Sequence, residues 1–240
     1  MKMNKLGVLG GMGPFATSVF FERVIEQTEA YKDQDHIDMM ILNHATLPDR
    51  TESIINNDKQ PLLQLIEADL RLFEQAGVKN IAIPCNTTHY FYDDIQRVTK
   101  INIIHMVKST VKYIDERGIN HEKVAVLATD GTVQSNVYEQ ELQRTNIEQY
   151  HVDMATQRKV MDIIYHVKGN IDFKTTELDD IIAHLVHEIG CTAVILACTE
   201  LSTIKLQPEN QPYCVDALDI LVQESIIQSG KKIKRNNIIT

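Results

Sequence analysis

None of the four cysteines stands in C-x-x-C spacing: they fall at 85, 191, 198 and 214. That absence argues against a structural zinc site or a redox dithiol and fits a reducing compartment. Basic residues are also in deficit, 24 Lys and Arg against 33 Asp and Glu, for a formal net charge of -9 and a pI near 5.5. Nucleic acid or an anionic membrane as the main partner would require a basic face, so both are disfavoured. The single basic cluster, Lys231-Lys232-Ile233-Lys234-Arg235, reads as a solvated chain end. No apolar run approaches the roughly 18 residues of a membrane span. The start, Met1-Lys-Met-Asn-Lys5 and the apolar stretch after it, resembles a signal peptide only superficially, because Gly7, Gly10, Gly11, Gly13 and Pro14 suit a strand and a turn. Low-complexity segments are missing as well. The expectation is a soluble cytoplasmic protein of 240 residues, one large or two modest domains with an ample core.

What is present is an alternation of short Val/Ile/Leu-rich runs with longer amphipathic stretches. Strands are expected at 6–9, 39–42, 81–84, 123–128, 148–152, 193–197 and 213–215. Helices are expected at 16–31, 61–75, 107–117, 135–145, 153–167, 175–189 and 217–229. Strands buried on both faces by crossover helices make a parallel sheet, so the fold class is α/β.

The two halves echo each other. Gly77-Val-Lys-Asn-Ile-Ala-Ile-Pro-Cys85 is matched by Gly190-Cys-Thr-Ala-Val-Ile-Leu-Ala-Cys198, and Lys5-Leu-Gly-Val-Leu-Gly-Gly-Met-Gly13 by Lys123-Val-Ala-Val-Leu-Ala-Thr-Asp-Gly131. A looser third pair sets Asn102-Ile-Ile-His-Met106 against Gln211-Pro-Tyr-Cys-Val215. Three landmarks in the same order argue for a duplicated unit, hence two pseudo-symmetric lobes. The expected lobes are 1–106 plus 216–240, and 107–215. Ligands of open parallel sheets bind beyond the carboxyl ends of the strands, where Gly13, Cys85, Gly131 and Cys198 would all emerge around one cleft.

Gly10-Gly11-Met12-Gly13-Pro14 lacks the full dinucleotide fingerprint, since Ala16 stands where its last glycine should. It still places backbone N–H groups at a helix start, suited to a carboxylate as readily as to a phosphate. Cys85, before Asn86, Thr87 and Thr88, and Cys198, before Thr199 and Glu200, each end an apolar run and open a polar turn, a setting expected to lower a thiol pKa from about 8.5. Cys191 and Cys214 read as core residues. His89 and Glu200, one beside each cysteine, suit either helix-start capping and packing or tuning and relay of the thiol proton. Arg50 and Lys168, on spacing alone, read as surface charge.

Gly10-Gly11-Met12-Gly13-Pro14-x-Ala16-Thr17, Pro84-Cys85-Asn86-Thr87-x-His89 and Ala197-Cys198-Thr199-Glu200-Leu201 together resemble the three signatures of the aspartate/glutamate racemase family, nearly end to end. Pro48-Asp49-Arg50-Thr51 resembles its arginine segment and Val167-Lys168-Gly169 its lysine segment. The resemblance implies two similar α/β lobes and inversion of an amino-acid α-carbon without pyridoxal phosphate or any other cofactor or metal. Cys85 and Cys198 would be the catalytic pair, one thiolate and one thiol, exchanging roles with the incoming enantiomer. An α-proton is far less acidic than a thiol, and each unit of mismatch represents about 1.36 kcal/mol, so the site must stabilise the carbanion electrostatically.

Asn86, Thr87, Thr88 and Thr199 would bind the α-carboxylate and ammonium, with backbone contacts from Met12 and Gly13 and their echoes Thr129 and Thr132. Thr17, His89 and Glu200 would support them. The resemblance implies that Arg50, as a bidentate fork, and Lys168, as a point charge, hold a side-chain carboxylate. An acidic amino acid is therefore the implied small-molecule partner, aspartate before glutamate, and a homodimer the implied assembly. One methylene is worth only about 1 to 3 kcal/mol of discrimination, so glutamate stays open. Hydantoin racemases, maleate isomerases and decarboxylases of malonate derivatives share the two-lobe plan, and a non-catalytic binder of small carboxylates is the alternative of another class.

Overall fold

The computed structural model describes residues 4–118, 123–169 and 176–234. Residues 1–3, Thr175 and residues 235–240, Arg235 among them, lie outside that description. The first unit runs through Leu6–Gly10 (β1), Pro14–Gln27 (α1), Met39–Asn43 (β2), Arg50–Ile55 (α2), Gln60–Gln75 (α3), Asn80–Ala82 (β3), Tyr92–Arg97 (α4) and Asn102–Ile103 (β4). Met106–Glu116 (α5) leads into Lys123–Leu127 (β5), Asp130–Gln134 (α6), Val137–Leu142 (α7), Glu148–Tyr150 (β6), Met154–Lys168 (α8), Thr176–His187 (α9), Ala193–Leu196 (β7) and Cys214–Asp216 (β8). Ala217–Gln228 (α10) follows β8.

Two four-stranded sheets result, ordered β2-β1-β3-β4 and β6-β5-β7-β8, and every strand pair in them is parallel. The permutation is the same in both, so β1 corresponds to β5 and β3 to β7. Two of the echoed sequence pairs fall on these equivalent strands; the looser third reaches β4 and β8 but two residues out of register, since the pairing makes Ile103 the equivalent of Cys214 and not of Pro212. The central strands are apolar runs buried along their length because helices cover both faces. Helix α3 shows the other half of that packing: Leu62, Ile66, Leu70 and Phe73 recur at three- and four-residue spacing, and all four are fully buried. Helix α10 returns to the first sheet, where Leu218, Leu221 and Val222 share a core with Leu6, Val8 and Phe20. Among the described residues no helix is long and apolar enough to cross a membrane.

Two expected helices differ in extent or continuity. Helix α1 stops at Gln27 rather than continuing to residue 31, because the Thr28 hydroxyl turns back onto the Val24 carbonyl and Thr28 bridges antiparallel to Ile233. That bridge also ties the backbone of the basic tail to the body of the protein, with the Lys234 N–H donating to the Gln27 carbonyl. The helix expected at 135–145 is broken at its start. Asn136 sits in the left-handed region at φ 53°, so α6 ends at Gln134 and α7 begins at Val137.

Candidate active site

Cys85 lies three residues past the end of β3 and Cys198 two past the end of the equivalent β7. One small cavity, about 20 Å³, is lined by both. The first unit adds Asn86 and Thr87 to its wall, and the second adds Thr129, Ala197, Thr199 and Glu200; Met12, Asp49, Arg50, Thr51 and Lys168 complete it. That volume holds about one water molecule, so the two units are closed over it.

The closure has identifiable contacts. The Thr87 hydroxyl lies 3.0 Å from that of Thr129 and 2.9 Å from that of Thr132, and the last two are 3.1 Å apart, which makes a triangle of hydroxyls across the cleft. Tyr138, on α7, donates its hydroxyl to Asn86 Oδ1 at 2.6 Å. Burial pushes the Tyr138 phenol well above its ordinary range, so it remains the donor. With Oδ1 occupied, the Asn86 amide nitrogen is the group left over; Nδ2 is buried without a hydrogen-bond partner. An unpaired buried donor costs about 1–3 kcal/mol, a cost that a bound carboxylate oxygen removes. Glycine permits two close approaches nearby. A Cβ on Gly131 would stand 2.6 Å from the Thr51 hydroxyl across the cleft, and Gly11, at φ 94°, has the His44 backbone 2.4 Å from where its Cβ would be.

The two thiols have different neighbours. Cys198 donates its S–H to Glu200 Oε2 at 3.0 Å, and both side chains are buried. Burial first, and the Glu200 carboxylate second, push the Cys198 thiol well above its usual range, with Lys168 opposing them. The lowered thiol pKa expected from the sequence is thus overturned at Cys198. The turn after it is a single 3₁₀ turn, Leu201–Thr203, too short for a helix dipole to offset a carboxylate at hydrogen-bond distance.

Arg50 and Lys168 stand together at the edge of the cavity, not as separate surface charges. Arg50 Nη1 donates to the carbonyls of Pro48, at 3.0 Å, and Leu47, at 3.4 Å, which fixes the guanidinium; its Nε is buried without a partner. Lys168 ends α8 and is held above its ordinary pKa: desolvation lowers it, but Glu200, Cys198 and Cys85 together outweigh that and the repulsion of Arg50. Its ammonium therefore feels both sulfurs.

Other expected residues are placed differently. Thr88 is fully buried and donates to Met12 Sδ at 3.4 Å, away from the cavity wall. Thr17 shapes the glycine turn, accepting from the Gly11 N–H at 2.9 Å and donating to the Gly13 carbonyl at 3.0 Å. Gly13 lines the outer mouth and not the inner cavity. Of the two readings of His89, packing describes its position: Nδ1 meets the Cys85 carbonyl at 2.9 Å and Nε2 accepts from the Met106 N–H at 3.1 Å. Burial lowers its pKa, leaving a neutral ring that fixes the Cys85 turn. Tyr138 is a residue beside the site that no motif indicated, and Asp49, inside the arginine segment, lines the cavity although no role was expected of it. Arg23 is another supporting residue: from α1 it reaches Asp216 at 2.7 Å, Asp219 at 3.0 Å and the Ser202 carbonyl, tying the Cys198 turn to α10.

Comparison with known proteins identifies the family. The broad-specificity amino-acid racemase RacX of Bacillus subtilis is 30% identical over 227 residues, covering 92% of this chain and 96% of that protein. Among solved structures, the aspartate racemase of Picrophilus torridus superposes with a TM-score of 0.83 at 30% identity, covering 98% of this chain and 97% of that one. A glutamate racemase from Francisella tularensis in complex with D-glutamate shares the fold at a TM-score of 0.65 and 23% identity, over 93% of this chain and 80% of its own. With the Asp/Glu/hydantoin racemase family matched over residues 9–225, this chain belongs to that family.

Proposed function

We propose that this protein interconverts the L and D forms of aspartate, and secondarily glutamate, by proton transfer between Cys85 and Cys198 on opposite sides of the α-carbon. The observation that carries the reading is one small cavity lined by two thiols from the ends of equivalent strands, with Arg50 and Lys168 at its edge. In this reading Cys198, held as a thiol by burial and Glu200, serves as the acid for one enantiomer while Cys85 removes the proton from the opposite face. When the other enantiomer binds, Cys198 must serve as the base. Lys168 supplies the positive charge that makes its thiolate accessible.

The carbanion is stabilised through its carboxylate. The unpaired Asn86 Nδ2 and the hydroxyls of Thr87, Thr129 and Thr199 are the donors available to it, pre-set by Tyr138 and by the closed cleft. Arg50 Nε and the Lys168 ammonium take the side-chain carboxylate. At about 20 Å³ the closed cavity holds no more than a water molecule, so in this reading aspartate enters when the two units part, and reclosure around it displaces water and strengthens the electrostatic contacts.

Incubation of L-aspartate with the protein in deuterated water, with no added cofactor, is expected to yield D-aspartate carrying deuterium at the α-carbon, read by chiral chromatography with mass detection. Absence of both inversion and exchange on aspartate and on glutamate would refute the reading.

A further inference from the structure

On the other side of Arg50 and Lys168 the small inner cavity is adjoined by a second one of about 460 Å³. The outer cavity shares Asp49, Arg50, Lys168 and Glu200 with the inner one, so only these side chains stand between it and the proposed site. The remainder of its lining is mostly apolar: Pro14, Phe15, Leu47, Tyr165 and Val167. Phe15 and Tyr165 are 61% and 56% exposed, large rings that no other part of the described chain covers.

An acidic substrate does not account for this space. The side chain of aspartate is four heavy atoms, and at the ~30 Å³ that one water molecule occupies it fills about a quarter of the mouth. It also ends at the cations, short of the apolar wall. The neck itself carries two cations, Arg50 and Lys168, and two carboxylates, Asp49 and Glu200. A neutral side chain passing it leaves no formal charge uncompensated. Beyond the neck, the Lys168 ammonium lies 5.5 Å from the centroid of the Tyr165 ring, so an aromatic surface already screens it on the mouth side.

We propose that this mouth is a second side-chain subsite, through which the same pair of thiols acts on α-amino acids with large apolar side chains, of which leucine and phenylalanine are the probes. The inference rests on the racemase reading and widens its substrate class. Phe15 from the start of α1, Leu47 from the β2–α2 loop and Tyr165 from the last turn of α8 are its specificity-determining residues. Shape and apolar contact do the selecting, because the wall beyond the neck is mostly apolar.

The test compares kcat/KM for racemisation of L-leucine, L-phenylalanine, L-alanine and L-aspartate, again in deuterated water. Leucine and phenylalanine are expected to exceed alanine by about tenfold or more, since alanine lacks the atoms that would reach the mouth. In Phe15→Ala, and separately in Tyr165→Ala, the ratio of leucine to aspartate turnover is expected to fall by about tenfold. Leucine and phenylalanine no better than alanine, or a ratio unchanged in both variants, would overturn the subsite while aspartate turnover leaves the racemase reading intact. No turnover of any of the four would overturn both.

Discussion

Cys85 and Cys198 end equivalent strands in sheets of the same order, yet their turns hold different chemistry. Behind Cys85 stands a neutral histidine, His89, both of whose nitrogens are committed to backbone. Beside Cys198 stands a carboxylate that accepts a hydrogen bond from its S–H. Duplication of a scaffold fixes where two groups are placed. It does not fix their protonation, which is set by a few neighbours within hydrogen-bond distance. A racemase needs equivalent positions on two faces but opposite proton states at any instant, and at Cys198 burial and Glu200 favour the protonated one.

The largest test of the comparison sets the two cations against each other, one from each half. Arg50→Ala is expected to raise KM for aspartate by about 10- to 100-fold, the range for losing a charge-assisted contact, with much less effect on alanine. Lys168→Ala should do less to KM and more to kcat, because its ammonium also faces both sulfurs. Equal effects of Arg50→Ala on aspartate and alanine would place the arginine outside the side-chain contact.

Next in size is the contact by which the second half orients a donor in the first. Tyr138→Phe removes the hydrogen bond to Asn86 Oδ1 and frees the amide to turn, so kcat is expected to fall about tenfold with KM little changed. Unchanged kcat would mean that the amide is oriented by something else.

Removing the carboxylate from the Cys198 turn should make the two halves more alike. In Glu200→Gln the Cys198 thiol pKa falls, so the alkaline limb of the kcat profile, above which Cys198 cannot remain the acid, moves to lower pH. A profile unmoved by this substitution would remove Glu200 from the proton chemistry.

The smallest effect is on stability and belongs to the first half alone. His89 and His105 are both held below the ordinary histidine value of 6.5, His89 by burial and His105, at about 3, by burial and then by His89 and Lys108. Neither gains a proton in the folded state near pH 6, whereas the unfolded chain does. Their contribution is therefore complete above 6.5 and declines as pH falls, at up to about 1.4 kcal/mol per pH unit for each group. Chemical denaturation between pH 7 and 5 should show the decline in the native chain and a shallower one in His105→Phe; parallel curves would contradict it.

Much of this was legible in the sequence because strand and turn grammar is local. The paired glycine-to-cysteine runs located β3, β7 and the two thiols, and the Val/Ile/Leu-rich segments located the buried strands. Contacts made across the cleft were not legible. Nothing in the stretch around Tyr138 marks it as the partner of Asn86, 52 residues earlier, and nothing near Arg23 marks its link to Asp216. The raised thiol of Cys198 was hidden for a related reason: the sequence shows a carboxylate two residues on but not which way it points. Asn136, in the left-handed region, broke a periodic stretch that reads as one helix.

The most direct measurement of the two-thiol account follows α-hydrogen exchange separately from inversion, for each enantiomer of aspartate in deuterated water, in Cys85→Ser and Cys198→Ser. Each variant is expected to lose racemisation while still exchanging one enantiomer with retention, and the two variants should exchange opposite enantiomers. Racemisation persisting in both, or exchange of the same enantiomer by both, would contradict a thiol on each face of the α-carbon.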